Sequence, residues 1–551
     1  MKAMLERLVG LHPRVQRLPR WKQIVLGLLI LGVFFRFFNL DHKVYWGDEV
    51  FTSLRISGYS ASEVVQEIYD GDRLTPVDLQ RYQHPQPERG WDDTLRALLG
   101  SPEHTPLYYG MARLWVQGTE TPQSTTPEIF RQQVQGAIAW IRSLSGLLSL
   151  LVFPTLYWLC LELFGRTRVA WTAIALVAVS PFHVLYAQEA RGYSLYILTT
   201  LLSCAALLRA LRRPSLESWF TYGIAAALGL YSFLFSGLVL VGQGLYVGLV
   251  GDRPKQLLWQ YLGAAALALG LFSPWLWVVA SRLDTLRNNV AHLNQVQSAL
   301  VETWLLNLSR LFYDVNQGPS WFNPLTYGAA ALAIYSLVFL CHHTPKRVWL
   351  LVLTLIGTTG SALILSDLLL GGQRSAIARY PIPCYLGIQL AVAYCLTQKL
   401  TDLSLSLRQQ AGWRRGVAFL VVAGVASCLI SSQQVIWWNK GPSKTKRNPE
   451  VAAIVNRSDR PLVISDSPIE KVFSLAYLLE PQAQLQLVQD PAQLQLPLEA
   501  KDIFLYQPSD GLQAALSQLP NVSLEPTETP WLLRLVVPSG QDGSTQTPAS
   551  A

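Results

Sequence analysis

The sequence predicts an α-helical polytopic membrane protein of about eleven transmembrane helices with a small C-terminal α/β soluble domain. Half of the 551 residues are hydrophobic and only 15% are charged, well below the roughly 25% of soluble domains. The apolar residues form long runs whose ends are marked by basic residues, as in membrane proteins. After residue 438 these runs give way to short strand and helix patterns, which indicate a soluble domain.

The net charge of +8 follows from those basic residues at the ends of apolar runs. We therefore assign the charge to membrane topology and expect membrane lipid, not nucleic acid, as a partner. The six cysteines lie in or beside apolar runs and form no CxxC pair. They are interpreted as small core residues, neither disulfides nor metal ligands.

The N-terminal arm, residues 1–20, is basic, which predicts a cytoplasmic N-terminus. The first apolar run, residues 21–40, is long enough to span a bilayer. No small-residue cleavage site follows it, so it is expected to be a retained signal-anchor. Further spans are predicted at 137–160, 167–185, 192–210, 219–234, 235–250, 257–280, 324–341, 347–368, 381–398 and 416–437.

Residues 41–135 form a long, mostly polar first outer loop with juxtamembrane helices. One apolar helix in it, residues 104–117, is too short for an ordinary span. If it does not cross, every cytoplasmic loop is basic, as the positive-inside rule requires. This topology places the first outer loop and the C-terminal domain on the outer, periplasmic side. Whether the short helix crosses stays open at this point.

The domain boundaries follow from composition. Residues 21–438 form the transmembrane domain and 439–448 a polar linker. Strands alternate with helices over 449–537, which predicts an outer α/β domain. Residues 538–551 are rich in Gly, Ser, Thr and Pro, which predicts a disordered tail.

The acidic pair Asp48 and Glu49 lies on the predicted outer face, and charges placed near hydrocarbon are costly and tend to be functional. Three polar stretches share this face with the pair. The stretch 281–322 has apolar residues at helical spacing and is interpreted as an amphipathic helix at the interface. The other two stretches, 186–193 and 371–381, carry the candidate residues Gln188, Glu189, Arg191, Tyr193, Arg374, Arg379 and Tyr380.

Carboxylates opposite guanidinium groups suit a substrate with an anionic head and a lipid tail, because arginine binds phosphate oxygens well. Tyrosine hydroxyls can donate to the same phosphate. The plainer alternatives are a capped helix for the acidic pair, arginines that anchor in the headgroups, and a Glu189–Arg191 salt bridge. A transporter or flippase of lipid-linked or anionic substrates is the alternative function, for which broken helices at mid-membrane would be the sign.

Four motifs carry a resemblance to a known family: Trp46-Gly-Asp-Glu-Val-Phe-Thr52, His104-Thr-Pro-Leu-Tyr-Tyr109, Gln188-Glu-Ala-Arg-Gly-Tyr193 and Ala378-Arg-Tyr-Pro381. In this order they resemble the family 39-like glycosyltransferases, the group of protein O-mannosyltransferases and lipid A aminoarabinose transferases, within the C-type glycosyltransferase fold. The similarity extends over roughly residues 20 to 400. The C-terminal domain does not resemble the β-trefoil of the protein mannosyltransferases.

The resemblance implies transfer of a sugar from a polyprenyl-phosphate donor to a hydroxyl of a lipid, glycan or protein acceptor, with inversion at the anomeric carbon. It makes Asp48 and Glu49 catalytic, with Asp48 as general base and Glu49 orienting it or touching the sugar. His104, Tyr108 and the candidate residues of the other two stretches would bind substrate. No cofactor is needed, because a carboxylate of ordinary pKa is ionised at neutral pH, although a divalent cation stays open.

Overall fold

The computed structural model describes residues 19–250, 254–295, 299–440, 445–491, 494, 502–519 and 522–536. The chain is mostly helical, with one small sheet. The expectations of a basic arm over residues 1–20 and of a disordered tail over 538–551 lie outside the described residues, apart from positions 19 and 20.

The first span and the outer loop give a long helix followed by short ones. They are α1 (Arg20–Phe37), α2 (Gly47–Ile56), α3 (Ala61–Ile68), β1 (Asp70–Leu74), α4 (Pro76–Gln80), α5 (Trp91–Leu99) and α6 (Pro106–Val116).

The remaining predicted spans also coincide with helices. They are α7 (Pro127–Phe164), α8 (Thr167–Ala178) with α9 (Pro181–Ala187), α10 (Tyr193–Arg212), α11 (Leu216–Ser232), α12 (Ser236–Val250), α13 (Pro254–Ser281), then, after the short helices α14 (Leu283–Asn289) and α15 (Leu300–Ser309), α16 (Pro324–His343), α17 (Lys346–Leu370), α18 (Ile382–Thr401) and α19 (Leu407–Ser432). Six of the described helices are long and apolar enough to cross a membrane, or seven with the bent pair α8–α9. The chain is therefore an integral, multi-pass membrane protein.

The span predicted over 167–185 is not continuous. It breaks between α8 and α9 with a bend of 63°. Pro181 explains the break, because proline lacks an N–H donor and disfavours helical geometry in the residue before it. The Arg36 guanidinium, at the end of α1, donates to the freed carbonyls of Ala178 at 2.8 Å and Val177 at 3.1 Å.

Helix α6, the ambiguous element of the outer loop, has 11 residues. At 1.5 Å per residue such a helix covers roughly half of a hydrocarbon core of about 30 Å. It packs against α2, α7 and α11.

The C-terminal α/β domain has the predicted alternation of strands and helices. Its elements are α20 (Asn448–Val455), β2 (Leu462–Ser465), α21 (Ile469–Ala476), β3 (Gln484–Val488), β4 (Ile503–Tyr506), α22 (Asp510–Ser517), β5 (Ser523–Pro526) and β6 (Leu532–Val536). The strand order is β1-β3-β2-β4-β6-β5. Strand β2 is parallel to β3 and β4, and the other pairs are antiparallel.

One strand of this sheet comes from residues 41–135, the predicted first outer loop. Strand β1 pairs with β3 as an edge strand, with Leu74 opposite Leu485. Helix α21 packs against α2, so closely that a Cβ on Gly47 would lie 3.0 Å from the side chain of Glu470. The C-terminal domain is therefore packed against the helix that begins at the acidic pair.

Candidate active site

Helix α2 places its two acidic residues in different environments. It begins at Gly47, so Asp48 and Glu49 lie in its first turn, where the helix dipole favours negative charge. Consecutive helical residues point about 100° apart. The side chain of Glu49 is fully buried, whereas that of Asp48 is 18% exposed. Only Asp48 of the pair is open to a substrate.

The carboxylate of Glu49 is held on both oxygens. Arg142 of α7 donates from Nε to Oε1 at 2.7 Å and from Nη2 to Oε2 at 2.6 Å, and the Ala190 amide donates to Oε1 at 2.9 Å. Burial acts to raise the pKa of Glu49, but the charges of Arg142 and Lys440 outweigh it, so the pKa is lowered. The geometry suits the orienting role for Glu49 and leaves no oxygen open for a sugar.

Two arginines from distant parts of the chain meet Asp48. Arg379 Nη2 lies 3.4 Å from Asp48 Oδ2. Arg191 Nη1 donates at 3.1 Å to the main-chain oxygen of Asp48 and to the hydroxyls of Thr52 and Tyr109. The Arg379 side chain is 23% exposed, so its guanidinium shares an opening with the Asp48 carboxylate.

Aromatic rings surround this pair of charges. The Arg379 guanidinium carbon lies 5.9 Å from the ring centres of Trp46 and Tyr193 and 5.5 Å from that of Tyr380, within the range of cation–π attraction. The Tyr193 hydroxyl also accepts from Arg191 Nε at 3.4 Å. Of the residues predicted from sequence, Asp48, Arg191, Tyr193, Arg379 and Tyr380 are thus brought together.

Tyr108 and His104 lie at the edge of this cluster. The Tyr108 hydroxyl is 2.9 Å from the Ser145 hydroxyl, which donates to the Arg191 carbonyl at 3.1 Å, so Tyr108 supports the turn that carries Arg191. Burial, together with the charges of the nearby arginines, lowers the pKa of His104 well below its ordinary value. Its Nε2 lies 3.7 Å from Glu103 Oε1.

Gln188 and Glu189 are directed away from the opening. Gln188 Nε2 donates to the carbonyls of Phe35 at 2.7 Å and Phe38 at 2.9 Å, at the end of α1. Glu189 is buried and binds Lys440 Nζ at 2.9 Å. Burial raises the pKa of Glu189, and the charge of Lys440 offsets this only in part. Both side chains hold the turn in place. The salt-bridge partner of Glu189 is Lys440, and not Arg191 as in the plainer alternative considered for this turn.

Arg374 does not join the other candidates. Its Nη1 lies 3.3 Å from Asp367 Oδ1 and donates to the Gly371 carbonyl at 3.0 Å, and Nη2 donates to Asn294. Within the described residues it contacts none of the other predicted site residues. Asp367 and Asn294 already hold this guanidinium, and the role of Arg374 in binding phosphate stays a prediction.

Sequence reasoning missed two buried cations, Arg142 and Lys440. Arg142 stands within an apolar helical run, where an isolated charge is a signal of function or of buried pairing. Lys440 lies in the segment interpreted as a polar linker, yet it is 1% exposed. Composition gave no sign of that burial. Among the described residues, no group of three or more His, Cys, Asp or Glu side chains is arranged to hold a metal ion.

Lys43 offers a test of this buried charge distribution. Its Nζ donates to the Ser431 carbonyl at 2.7 Å. Burial, with the charges of Lys440 and Arg142, lowers its pKa to about 7. A lysine whose pKa is lower in the folded state destabilises the fold at pH values below its folded pKa. This loss of folding stability becomes smaller as the pH rises from the folded pKa toward the unfolded pKa near 10.4.

We therefore expect Lys43→Met to raise the apparent melting temperature of the detergent-solubilised protein at pH 7, by a margin that narrows at pH 9. Differential scanning fluorimetry at both pH values measures this. The exposed Lys446→Met is the matched control and should change neither value. A lower melting temperature for Lys43→Met at pH 7 would contradict the assignment.

Fold and site together define a multi-pass membrane protein with a carboxylate and guanidinium groups in one partly open cluster. Residues 127–278 match the family model described as dolichyl-phosphate-mannose-protein mannosyltransferase. This match confirms the resemblance to family 39-like glycosyltransferases that the sequence motifs indicated. No curated protein sequence matches the chain.

Two solved structures are similar over most of the chain. One is ArnT from Cupriavidus metallidurans bound to undecaprenyl phosphate, with 13% identity, 94% of this chain and 97% of that chain covered, and a TM-score of 0.49. The other is the archaeal oligosaccharyltransferase AglB from Archaeoglobus fulgidus in complex with an inhibitory peptide and a dolichol-phosphate. It has 12% identity, covers 95% of this chain and 75% of that chain, and gives a TM-score of 0.44.

Proposed function

We propose that this protein is an integral-membrane glycosyltransferase that moves a sugar from a polyprenyl-phosphate donor to an acceptor hydroxyl on the outer face of the membrane. Asp48 acts as general base, and the anomeric configuration is inverted. The observation that carries the proposal is the Asp48 carboxylate 3.4 Å from Arg379, with Arg191 bound to the same residue's main chain.

The charges around the opening suit a phosphodiester. We call the guanidinium groups of Arg55, Arg191 and Arg379 and the carboxylates of Asp48 and Glu103 the outer layer, because their charges act on one another. Arg379, Asp48 and Glu103 are partly exposed, whereas Arg55 and Arg191 are buried behind them. Within this group the three guanidinium groups exceed the two carboxylates by one charge. A polyprenyl-phosphate sugar carries one negative charge, and its phosphate gains a second when the sugar leaves. Fixed guanidinium donors stabilise such developing charge most where water is scarce.

Four deeper charges pair with one another. We call them the inner layer: Glu49, Glu189, Arg142 and Lys440. Each carboxylate there lies within 3 Å of a cation. These ion pairs hold the turns beneath the site, and the adjacent buried Lys43 adds an ammonium group whose pKa is lowered to about 7.

In the proposed reaction, Asp48 removes the proton of the acceptor hydroxyl as its oxygen attacks the anomeric carbon. The bond from that carbon to the phosphate oxygen breaks, and the electron pair stays on the phosphate. Arg379 and Arg191 stabilise the phosphate. A base placed in this way typically contributes about 10²–10⁴-fold to the rate.

The break between α8 and α9 is the feature that favours the alternative of a transporter, because broken helices line many transport sites. The contacts around the break argue against a transport site. Arg36 binds the freed carbonyls, and α9 leads directly into the turn that carries Glu189 and Arg191. The break therefore directs α9 so that this turn lies at the proposed site at the membrane surface.

The test is a membrane-fraction assay with a panel of polyprenyl-phosphate sugars, analysed by mass spectrometry. We expect one donor to be consumed, polyprenyl phosphate to be released and a glycosylated acceptor of opposite anomeric configuration to form. Release of polyprenyl phosphate from none of the donors, or transport of an intact donor without cleavage, would overturn the proposal.

A further inference from the structure

Lys440 lies buried between two carboxylates that belong to different turns. Its Nζ is 2.9 Å from Glu189 Oε1 and 3.7 Å from Glu49 Oε2, and all three side chains are 1% exposed or less. Asn439, its neighbour, also donates to Glu189. Lys440 belongs to the segment that joins α19 to the C-terminal domain.

We propose that Lys440 is a positioning residue that neutralises Glu189 and Glu49 together and so holds the two turns of the site, with Asp48 on one and Arg191 on the other, in place. This inference rests on the proposed function. Lys440 acts through other residues, because its buried ammonium group is out of reach of a substrate.

The two turns are joined at several points next to Lys440. The Ala190 amide donates to Glu49 at 2.9 Å, and Arg191 donates to the Asp48 carbonyl at 3.1 Å. Both bonds require the Glu189 turn to lie directly beside the start of α2. Two buried carboxylates at that junction repel each other unless cations lie with them.

Arg142 cannot serve both carboxylates. Its Nε and Nη2 bind Glu49, and its Nη1 donates to the carbonyls of Leu40 at 2.6 Å and Lys43 at 2.9 Å. Among the described residues, Lys440 is the only cation that is ion-paired with Glu189. Without Lys440, Glu189 would be a buried carboxylate facing another, and it would either destabilise the junction or take up a proton.

The segment that carries Lys440 is fixed independently of the ion pair. The indole nitrogens of Trp437 and Trp438 donate to Asp314 Oδ2 at 2.9 and 2.6 Å. The Arg310 guanidinium carbon lies 3.5 Å from the Trp438 ring centre. These contacts of Trp437 and Trp438 position Lys440 without the help of its ion pairs. Replacing Lys440 should therefore leave the segment in place.

The test uses full-length Lys440→Met, Glu189→Gln and the double variant, with the exposed Lys446→Met as the matched control. Turnover of the donor found in the panel should fall at least tenfold in Lys440→Met. The double variant should have a turnover within about threefold of that of Glu189→Gln alone, because the carboxylate that Lys440 neutralises is absent from both. The melting temperatures should show the same loss and recovery.

A pH profile gives a second, independent readout. The groups that face Glu189 from the surrounding elements are Lys440 and Asn439, Glu49 and Asp48, Arg142, Lys43, Tyr186 and Tyr193. With Lys440 replaced, a proton on Glu189 relieves the repulsion from Glu49. The turnover deficit of Lys440→Met relative to wild type should therefore be smaller at pH 6 than at pH 8.

Wild-type turnover in Lys440→Met would overturn the inference. So would a loss that Glu189→Gln does not reverse, because Lys440 would then act in another way. If the wild-type protein turns over no donor, it is the proposed function that fails. The recovery of melting temperature in the double variant would still report whether Lys440 neutralises Glu189.

Discussion

Replacing Asp48 with asparagine should lower turnover at least a hundredfold while leaving the protein folded and inserted in the membrane. Asparagine has the same shape, suits the first turn of α2 and can still accept a hydrogen bond from Arg379, but it cannot take a proton. General-base catalysis is typically worth about 10²–10⁴-fold, and that contribution is what the change removes. Single-turnover assays with the donor found in the panel would measure it.

The control for this prediction is Asp92→Asn, an equivalent change at an exposed aspartate of α5. It should turn over the donor like the wild-type protein. Melting temperatures of both variants in detergent should stay within a few degrees of wild type, which separates lost chemistry from lost folding. Turnover of Asp48→Asn within threefold of wild type would remove Asp48 from the role of base.

Much of the architecture could be predicted because the membrane imposes it. A bilayer requires apolar helices of about twenty residues, so the positions of the long helices follow from the apolar runs. The C-terminal strands follow from short β-branched and leucine-rich stretches. Strand β1, Asp70-Gly-Asp-Arg-Leu74, could not be predicted in this way, since it is a polar edge strand that forms only by pairing with β3.

The members of the candidate site could be predicted only in part, because its ion pairs join residues that are far apart in the sequence. The motifs indicated Asp48, Arg191 and Arg379, which meet although they are far apart in sequence. A sequence does not show which carboxylate each cation binds. Neither Arg142 beneath Glu49 nor Lys440 between Glu49 and Glu189 could be assigned before their partners were known.

The two arginines of the 371–381 stretch should differ sharply when each is replaced by methionine. For Arg379→Met we expect the KM for the polyprenyl-phosphate donor to rise about tenfold to a hundredfold. Hydrogen bonds to charged groups are worth about 1.5–3 kcal/mol, and each 1.4 kcal/mol is a factor of ten. For Arg374→Met we expect a donor KM within threefold of wild type, because Asp367 and Asn294 already hold that guanidinium.

The comparison is informative because composition and spacing treat these two residues alike. They lie five positions apart in one polar stretch, and both were expected to bind phosphate. The structure separates them by their partners: Arg379 lies at the opening beside Asp48, whereas Arg374 is ion-paired with the buried Asp367. An equal rise in donor KM for both variants, with both proteins folded, would mean that net positive charge near the membrane surface binds the donor, and the phosphate site at Arg379 would be wrong.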